Sequence, residues 1–134
     1  MARKRKKRIM LIEDDFYILD IYQTKLDQEG YKVIVAEDGE VAWETLEREN
    51  GKIDLILLDI SMPHMNGLEF IKKAKEDPKY EHIPFIVLTN LVKQSLIEEF
   101  EALGTLDYLV KANFTPRQVM TKVKKHLQDL RVAV

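Results

Sequence analysis

Residues 55–67 read LILLDISMPHMNG, and this stretch decides the fold. Its first four residues are all apolar, which is typical of a strand that a parallel sheet buries on both faces. The strand ends at an acid, Asp59, and the proline, asparagine and glycine that follow are typical of a loop. An amphipathic stretch then continues to about residue 76. The segment therefore predicts one strand–loop–helix unit of an α/β fold.

The same unit recurs along the chain, since apolar runs alternate with amphipathic stretches throughout. Apolar residues at helical spacing, among them Phe16, Leu19 and Leu26, indicate the first helix. Strands joined by right-handed helical crossovers run parallel, so the pattern predicts a three-layer α/β domain with helices on both faces of a five-stranded sheet. We predict strands at residues 9–12, 31–36, 55–58, 85–88 and 106–110, and helices at 15–29, 38–49, 67–76, 92–103 and 116–130.

Two of the predicted helices begin with capping signals. Asp38 is placed to cap the second helix. Thr115, Pro116 and Gln118 supply a cap, a proline at the first helical position and a capping-box glutamine for the last helix.

Composition excludes several classes of protein. The 134 residues suit one domain, and 46% hydrophobic with 33% charged residues is typical of a folded globular protein. The lack of cysteine excludes disulfides, thiolate metal sites and a cysteine nucleophile. No apolar run approaches the ~20 residues of a membrane span, and the N-terminus lacks a signal-peptide pattern. We therefore expect a cytoplasmic protein that makes no use of a membrane.

Residues 3–8 form an unbroken run of six basic residues. Without them the 21 Lys and Arg fall to 15, against 23 Asp and Glu, so the body carries a charge of about −8. Such an acidic body argues against nucleic-acid binding by the domain itself. The run is either a contact for an anionic surface or a solvated leader. We expect a leader at residues 1–7, one domain at 8–130 and a tail at 131–134.

Polar residues stand where the predicted strands end. Glu13 and Asp14 follow the first strand, Asp59 the third, Thr89 the fourth and Lys111 the fifth. Ligands of open parallel sheets bind beyond the carboxyl ends of the strands. If the first and third strands are neighbours, the three carboxylates converge in one crevice.

The chemistry of this set favours a phosphoryl group and a hard cation. Three carboxylates in one crevice repel each other unless a cation or protons intervene, and all-oxygen ligands select Mg²⁺. Lys111 and Thr89 add an ammonium and a hydroxyl, which neutralise phosphoryl oxygens. Each residue alone has an ordinary structural explanation, such as a helix cap, so the inference rests on their combination.

Four segments together resemble the receiver domain of two-component response regulators: IEDD at 12–15, LLDISMPHMNG at 57–67, VLT at 87–89 and DYLVK at 107–111. The resemblance extends from residue 8 to about residue 129 and is to a single-domain receiver of the chemotaxis type. It implies a flavodoxin-like three-layer (βα)5 sandwich with strand order 2-1-3-4-5. It also implies a protein of phosphorelay signal transduction rather than an enzyme, apart from self-catalysed phosphorylation and dephosphorylation.

The same resemblance implies a role for each site residue. Asp59 would be the phosphoacceptor, which takes the phosphoryl group from a phosphohistidine. Glu13 and Asp14 would form the acidic pair, and Mg²⁺ would be held by Asp14 and Asp59 with the backbone carbonyl of Ser61. Lys111 would pair with the phosphoryl oxygens.

The signal would pass through Thr89, which would move to the phosphoryl group, and through Tyr108, which would then turn inward. The upstream partner would be a sensor histidine kinase or a histidine phosphotransfer protein. A downstream protein would bind the face of helix 4, strand 5 and helix 5, and a homodimer is an alternative assembly. That face is expected to include Glu98, Glu99, Tyr108, Leu109, Lys122 and Lys125, flanked by Leu91 and Val92.

Two residues depart from the family pattern. Ala112 follows Lys111 where the family usually has a proline after a cis peptide, so we expect a trans bond and a different aim for Lys111. Asn90 replaces a small residue, and we expect it to narrow access to Asp59 and to change the lifetime of the phosphoryl group.

Two alternatives remain open. A degenerate receiver, spoiled at Ala112 and Asn90, would be an interaction module independent of phosphorylation. A phosphohydrolase of the haloacid-dehalogenase type would need a second aspartate at the position of Ser61. The glycine-rich phosphate loop, the G-x-S-x-G elbow and the H-E-x-x-H motif are all lacking from the sequence.

Overall fold

The computed structural model describes residues 5–60 and 65–132. Five strands and five α-helices alternate strictly over this part of the chain. The strands are β1 (Arg8–Ile12), β2 (Lys32–Ala36), β3 (Leu55–Leu58), β4 (Phe85–Thr89) and β5 (Asp107–Val110). The helices are α1 (Phe16–Gln28), α2 (Gly39–Arg48), α3 (Gly67–Lys75), α4 (Gln94–Ala102) and α5 (Pro116–Val132), and a short 3₁₀ turn spans Lys111–Asn113.

The strands form one parallel sheet in the order β2-β1-β3-β4-β5. This confirms the flavodoxin-like sandwich and the neighbouring positions of β1 and β3. Ile12 is in register with Leu58, so the two strands end at the same edge of the sheet. No helix within the described residues is both long and apolar enough to cross a bilayer.

Each face of the sheet packs against its own apolar core, as the alternation of side chains along a strand requires. Met10 and Ile56 belong to the core that includes residues of α2, α3 and α4. Their strand neighbours Leu11 and Leu57 belong to the core that includes residues of α1 and α5. Helices therefore cover both faces of the sheet, and the polar functional side chains lie beyond the ends of the strands.

The same alternation corrects one expectation for the partner-binding face. Leu109 is only 1% exposed and packs in the core beneath α1 and α5. Its neighbour Tyr108 points to the opposite side of the sheet, where it packs against the other core. Leu109 therefore cannot contact a partner on an exposed face, whereas Leu91 and Val92 are exposed as expected.

The predicted caps of α2 and α5 are confirmed. Asp38 Oδ1 accepts a 2.9 Å hydrogen bond from the Val41 amide. Thr115 and Gln118 form a reciprocal capping box, since the Thr115 amide donates to Gln118 Oε1 at 2.8 Å and the Gln118 amide donates to Thr115 Oγ1 at 3.2 Å.

Two other helix predictions need correction. Helix α4 begins at Gln94 rather than near residue 92, and its N-cap residue Lys93 makes no side-chain capping bond. Phe16, expected among the spaced apolar residues of α1, is 74% exposed because it occupies the first position after the N-cap Asp15. Leu26 lies in the core as expected of that helix.

Part of the basic run is tied to the amino edge of the sheet. Arg8 begins β1, and its guanidinium donates to Glu49 at 2.6 Å and to the Lys52 carbonyl at 2.7 Å. Arg5 reaches Asp54 at 3.2 Å, but its side chain is 63% exposed against 19% for Arg8. The run is therefore not wholly a solvated leader.

We expect Arg8→Ala to lower the free energy of unfolding by about 1–2 kcal/mol, because a half-buried charge pair and a bond to a backbone carbonyl are lost. Arg5→Ala removes the same type of side chain from an exposed pair and should cost less than about 0.5 kcal/mol. Urea denaturation of both variants measures the difference. Equal losses would show that the Arg8 contacts add nothing specific to stability.

Candidate functional site

Three carboxylates meet at the carboxyl edge of the sheet. Glu13 follows β1 and Asp59 follows β3, and the ladder continues past both strands, since the amides of Glu13 and Asp59 donate to the carbonyls of Ala36 and Ile12, each at 3.0 Å. Oxygens of Glu13, Asp14 and Asp59 all lie within 4.8 Å of one another. Glu13 and Asp59 are 3% and 8% exposed, whereas Asp14 faces solvent. Such a donor set is compatible with Mg²⁺.

Lys111 lies between two of these acids. Its Nζ is 2.6 Å from Glu13 Oε1 and 3.2 Å from Asp59 Oδ2. The lysine follows β5, two strands away from β3, so its long side chain crosses the end of β4 to reach them. Every peptide bond in the described residues is trans, including the one between Lys111 and Ala112. The expected trans bond is confirmed, but it does not turn Lys111 away from Asp59.

Burial and charge set the protonation of this cluster. Burial raises the pKa of Glu13 to about 7, although hydrogen bonds from Lys111 and the Asp15 amide oppose the rise. Burial alone would lower the pKa of Lys111, but its bond to Glu13 and the charges of Asp59 and Glu13 outweigh it and raise that pKa. Lys111 thus stays cationic, and Glu13 takes up a proton as the pH falls through about 7.

The two predicted switch residues contact the same loop residue. Thr89 ends β4, is 1% exposed, and its hydroxyl accepts a 3.2 Å hydrogen bond from the Leu91 amide. Tyr108 projects from β5 and its hydroxyl donates to the Leu91 carbonyl at 2.5 Å. The Tyr108 ring packs against Phe100 of α4, with 6.1 Å between the ring centroids. Leu91 therefore connects Thr89 to Tyr108, and the ring of Tyr108 contacts Phe100 of α4.

One cavity brings most of the predicted site together. Tyr108 does not line it but lies one contact away through Leu91. Ser61, expected to offer a backbone carbonyl to the metal, lies outside the described residues. The cavity is lined by Glu13, Asp14, Asp15, Ile18, Asp59, Thr89, Asn90, Leu91 and Lys111.

Asp15 combines a helix cap, which the sequence allows, with a contact to Glu13 that the sequence did not predict. Its side chain caps α1 by accepting from the amides of Tyr17 and Ile18, at 2.9 and 3.2 Å. Its own amide donates to Glu13 Oε2 at 3.1 Å, so the start of the helix also orients the buried acid. The sequence signal for the cap was the place of Asp15 directly before α1, at the end of the acidic residues Glu13, Asp14 and Asp15.

Gly67 also contributes to the site in a way that the sequence did not predict. Its amide donates to the Ile60 carbonyl at 3.0 Å, which brings the start of α3 against the end of β3. A Cβ at this position would collide with the carbonyl oxygen of Asp59. Glycine is therefore required for the start of α3 to lie against the backbone of Asp59, whose Oδ1 accepts from the Ile60 amide at 2.7 Å.

Known proteins share both the sequence pattern and the fold. A sequence profile described as the response regulator receiver domain matches residues 9–124. The alkaline phosphatase synthesis transcriptional regulatory protein PhoP of Bacillus subtilis is 35% identical over 132 residues, which cover 95% of this chain and 51% of that protein. The chain spans at most about half the length of the first curated relatives that it matches.

Solved structures agree. The crystal structure of a response regulator receiver domain protein from Methanospirillum hungatei has a TM-score of 0.87 at 28% identity, over 97% of this chain and 100% of that one. The phosphorylated cyanobacterial phytochrome response regulator RcpA has a TM-score of 0.76 at 28% identity, over 90% of this chain and 91% of that one. Because the family profile covers most of the sequence, the chain belongs to the response regulator receiver domains of two-component systems.

Proposed function

We propose that Asp59 accepts a phosphoryl group from the phosphohistidine of a histidine kinase or a histidine phosphotransfer protein, and that this transfer switches a protein-binding face. The observation that carries the proposal is the placement of the Asp59 carboxylate between two further acids and the ammonium of Lys111, at the carboxyl edge of the sheet. A relative of the same fold, the response regulator RcpA, has been crystallised in phosphorylated form, which supports it.

The proposed unit is the receiver domain at residues 8–130, which includes the family match at 9–124. Residues 1–7 would be a basic leader and residues 131–134 a tail. A histidine kinase as partner and a sequence without cysteine favour work in the cytoplasm.

In the transfer, a carboxylate oxygen of Asp59 attacks phosphorus while the bond from phosphorus to the histidine nitrogen breaks. The Ile60 amide donates to Oδ1 of Asp59 and the Lys111 ammonium donates to Oδ2, so both oxygens are oriented before the phosphoryl group arrives. Lys111 then stabilises the charge that spreads over the phosphoryl oxygens. The Thr89 hydroxyl, which lines the same cavity, donates a further hydrogen bond to them.

The acidic cluster would hold Mg²⁺ through Glu13, Asp14 and Asp59, with the Ser61 carbonyl as a further ligand. Its three carboxylates lie close enough together to share one ion, and their oxygen donors are those that Mg²⁺ prefers. When bound, the ion supplies positive charge to the phosphoryl oxygens and offsets the repulsion between the acids.

The proposed output depends on Leu91. When the Thr89 hydroxyl turns to the phosphoryl group it gives up the Leu91 amide, and the loop that Tyr108 holds at the Leu91 carbonyl then shifts with α4. Phosphorylation thereby biases a two-state equilibrium of the face built by α4, β5 and α5. A downstream protein, or a second copy of the chain, would bind the exposed and half-buried residues of that face: Leu91, Val92, Glu98, Glu99, Tyr108, Lys122 and Lys125.

We expect acetyl phosphate with Mg²⁺ to add one phosphoryl group to the protein, since the site itself supplies the nucleophile and the charge stabilisation. Intact-mass spectrometry measures the addition. Asp59→Asn keeps the size of the side chain but removes the nucleophile, and should show none.

Asp54→Asn is a matched control, because Asp54 lies at the amino edge of the sheet, where it accepts from the Arg8 amide. This variant should be phosphorylated as the wild type is. A folded wild-type protein that stays unmodified would contradict the proposal and favour the alternative of an interaction module independent of phosphorylation.

Mg²⁺ affinity should rise with pH through about 7. Below that pH the buried Glu13 carboxyl, whose pKa is raised to about 7, carries a proton that the ion must displace. We expect the apparent dissociation constant to fall by up to about tenfold per pH unit below 7 and to level off above it. Calorimetric titration at several pH values measures this dependence.

Glu13→Gln removes the titrating group and should bind Mg²⁺ more weakly with a flat profile across the same pH range. A Glu13→Gln protein that keeps the slope of the wild type would show that another group titrates.

A further inference from the structure

One hydrogen bond joins the two loops beside the phosphoacceptor. Asn90 Oδ1 accepts from the Ala112 amide at 2.9 Å. Asn90 directly follows Thr89, and Ala112 directly follows Lys111. Thr89 is in register with Val110 at the ends of β4 and β5. The Asn90 side chain therefore extends the pairing of these two strands beyond the point where the backbone ladder stops.

The turn at residues 111–113 depends on Ala112 in two ways. The 3₁₀ conformation begins at Lys111, and a proline at position 112 would disfavour helical backbone angles at the residue before it. A proline would also lack the N–H that Asn90 binds. The turn itself is weakly held, since the Phe114 amide reaches the Lys111 carbonyl at 3.4 Å. Asn90 and Ala112 therefore form a matched pair that fixes this short turn.

We propose that Asn90 is a positioning residue, which acts through the Ala112 amide to fix the backbone from which Lys111 reaches Asp59. The lysine side chain is long and spans two strands, so its freedom depends on how firmly its backbone is held. The consequence for phosphoryl transfer rests on the function proposed for Asp59. The link between Asn90 and Lys111 does not, because it is present in the unphosphorylated protein.

Because Asn90 and Ala112 are exposed, their hydrogen bond can be removed without disturbing the core. Truncation of Asn90 therefore opens no cavity there. Asn113 is also an exposed asparagine and lies in the turn next to Ala112, so Asn113→Ala is the matched control. Asn90→Asp restores an acceptor oxygen at the same position.

The first measurement is amide exchange by NMR in unphosphorylated, metal-free protein. In Asn90→Ala the Ala112 amide should exchange about three- to tenfold faster, and the side-chain resonances of Lys111 should shift. Asn113→Ala should change neither, and Asn90→Asp should restore the protection. Unchanged Ala112 exchange, or Lys111 resonances that do not move, would overturn the proposal whether or not the protein is phosphorylated.

The second measurement is the rate of phosphorylation by acetyl phosphate. Asn90→Ala should slow it by about two- to tenfold, and the same change in an Ala112→Pro background should have no further effect, since the donor is already lost. Loss of protection at Ala112 with an unchanged rate would overturn the positioning role. A wild-type protein without any phosphorylation would instead overturn the proposed function, and the NMR result would then decide on the link between Asn90 and Lys111.

Discussion

The site depends on holding like charges together at the carboxyl edge of the sheet. Two unit charges about 5 Å apart repel each other by about 3 kcal/mol at the effective dielectric constant of 20 that suits a partly buried site. Glu13 and Asp59 are both nearly buried and share Lys111 as a counter-ion. The rise in the pKa of Glu13 shows that this ammonium offsets the cost of burial only in part. A divalent cation and a phosphoryl group would redistribute the same charges, which couples their binding to the geometry of the site.

The order of the strands creates this arrangement. Because β1 and β3 are neighbours, the acids that follow them are adjacent although Glu13 and Asp59 are 46 positions apart in the sequence. Because β4 and β5 lie beyond β3, a threonine at the end of β4 lies near Asp59, whereas the residue at the end of β5 has to be long to reach it. Lysine meets that need, and its 2.6 Å contact with Glu13 shows that it reaches past β3 to the acid of β1.

Sequence patterns predicted the features that depend on neighbouring residues in the sequence. The order of strands and helices, the caps at Asp38 and Thr115 and the acids at the strand ends follow from residue type and spacing. The errors concern the side of an element that faces a neighbour. Leu109 was expected on an exposed face, although the two-residue period of a strand places it on the side opposite Tyr108. The hydrogen bond from the Ala112 amide to Asn90 was not predicted at all, because it joins residues 22 positions apart and no local pattern encodes it. Such contacts are set by packing between loops, so they become visible only in three dimensions.

The loop that precedes α4, residues 90–93, depends on contacts from residues beside the site. Lys93 offers no side-chain cap, so the loop is held mainly from outside: by Thr89 and Tyr108 at Leu91, and by the Ala112 amide at Asn90. All of these contacts come from residues that line or adjoin the cavity around Asp59. A change at Asp59 that drew the Thr89 hydroxyl away would remove one restraint and would leave the contacts to β5 and the 3₁₀ turn. In the proposed switch, the position of α4 would then depend on those contacts, and a small shift at the sheet edge would reach the proposed binding face.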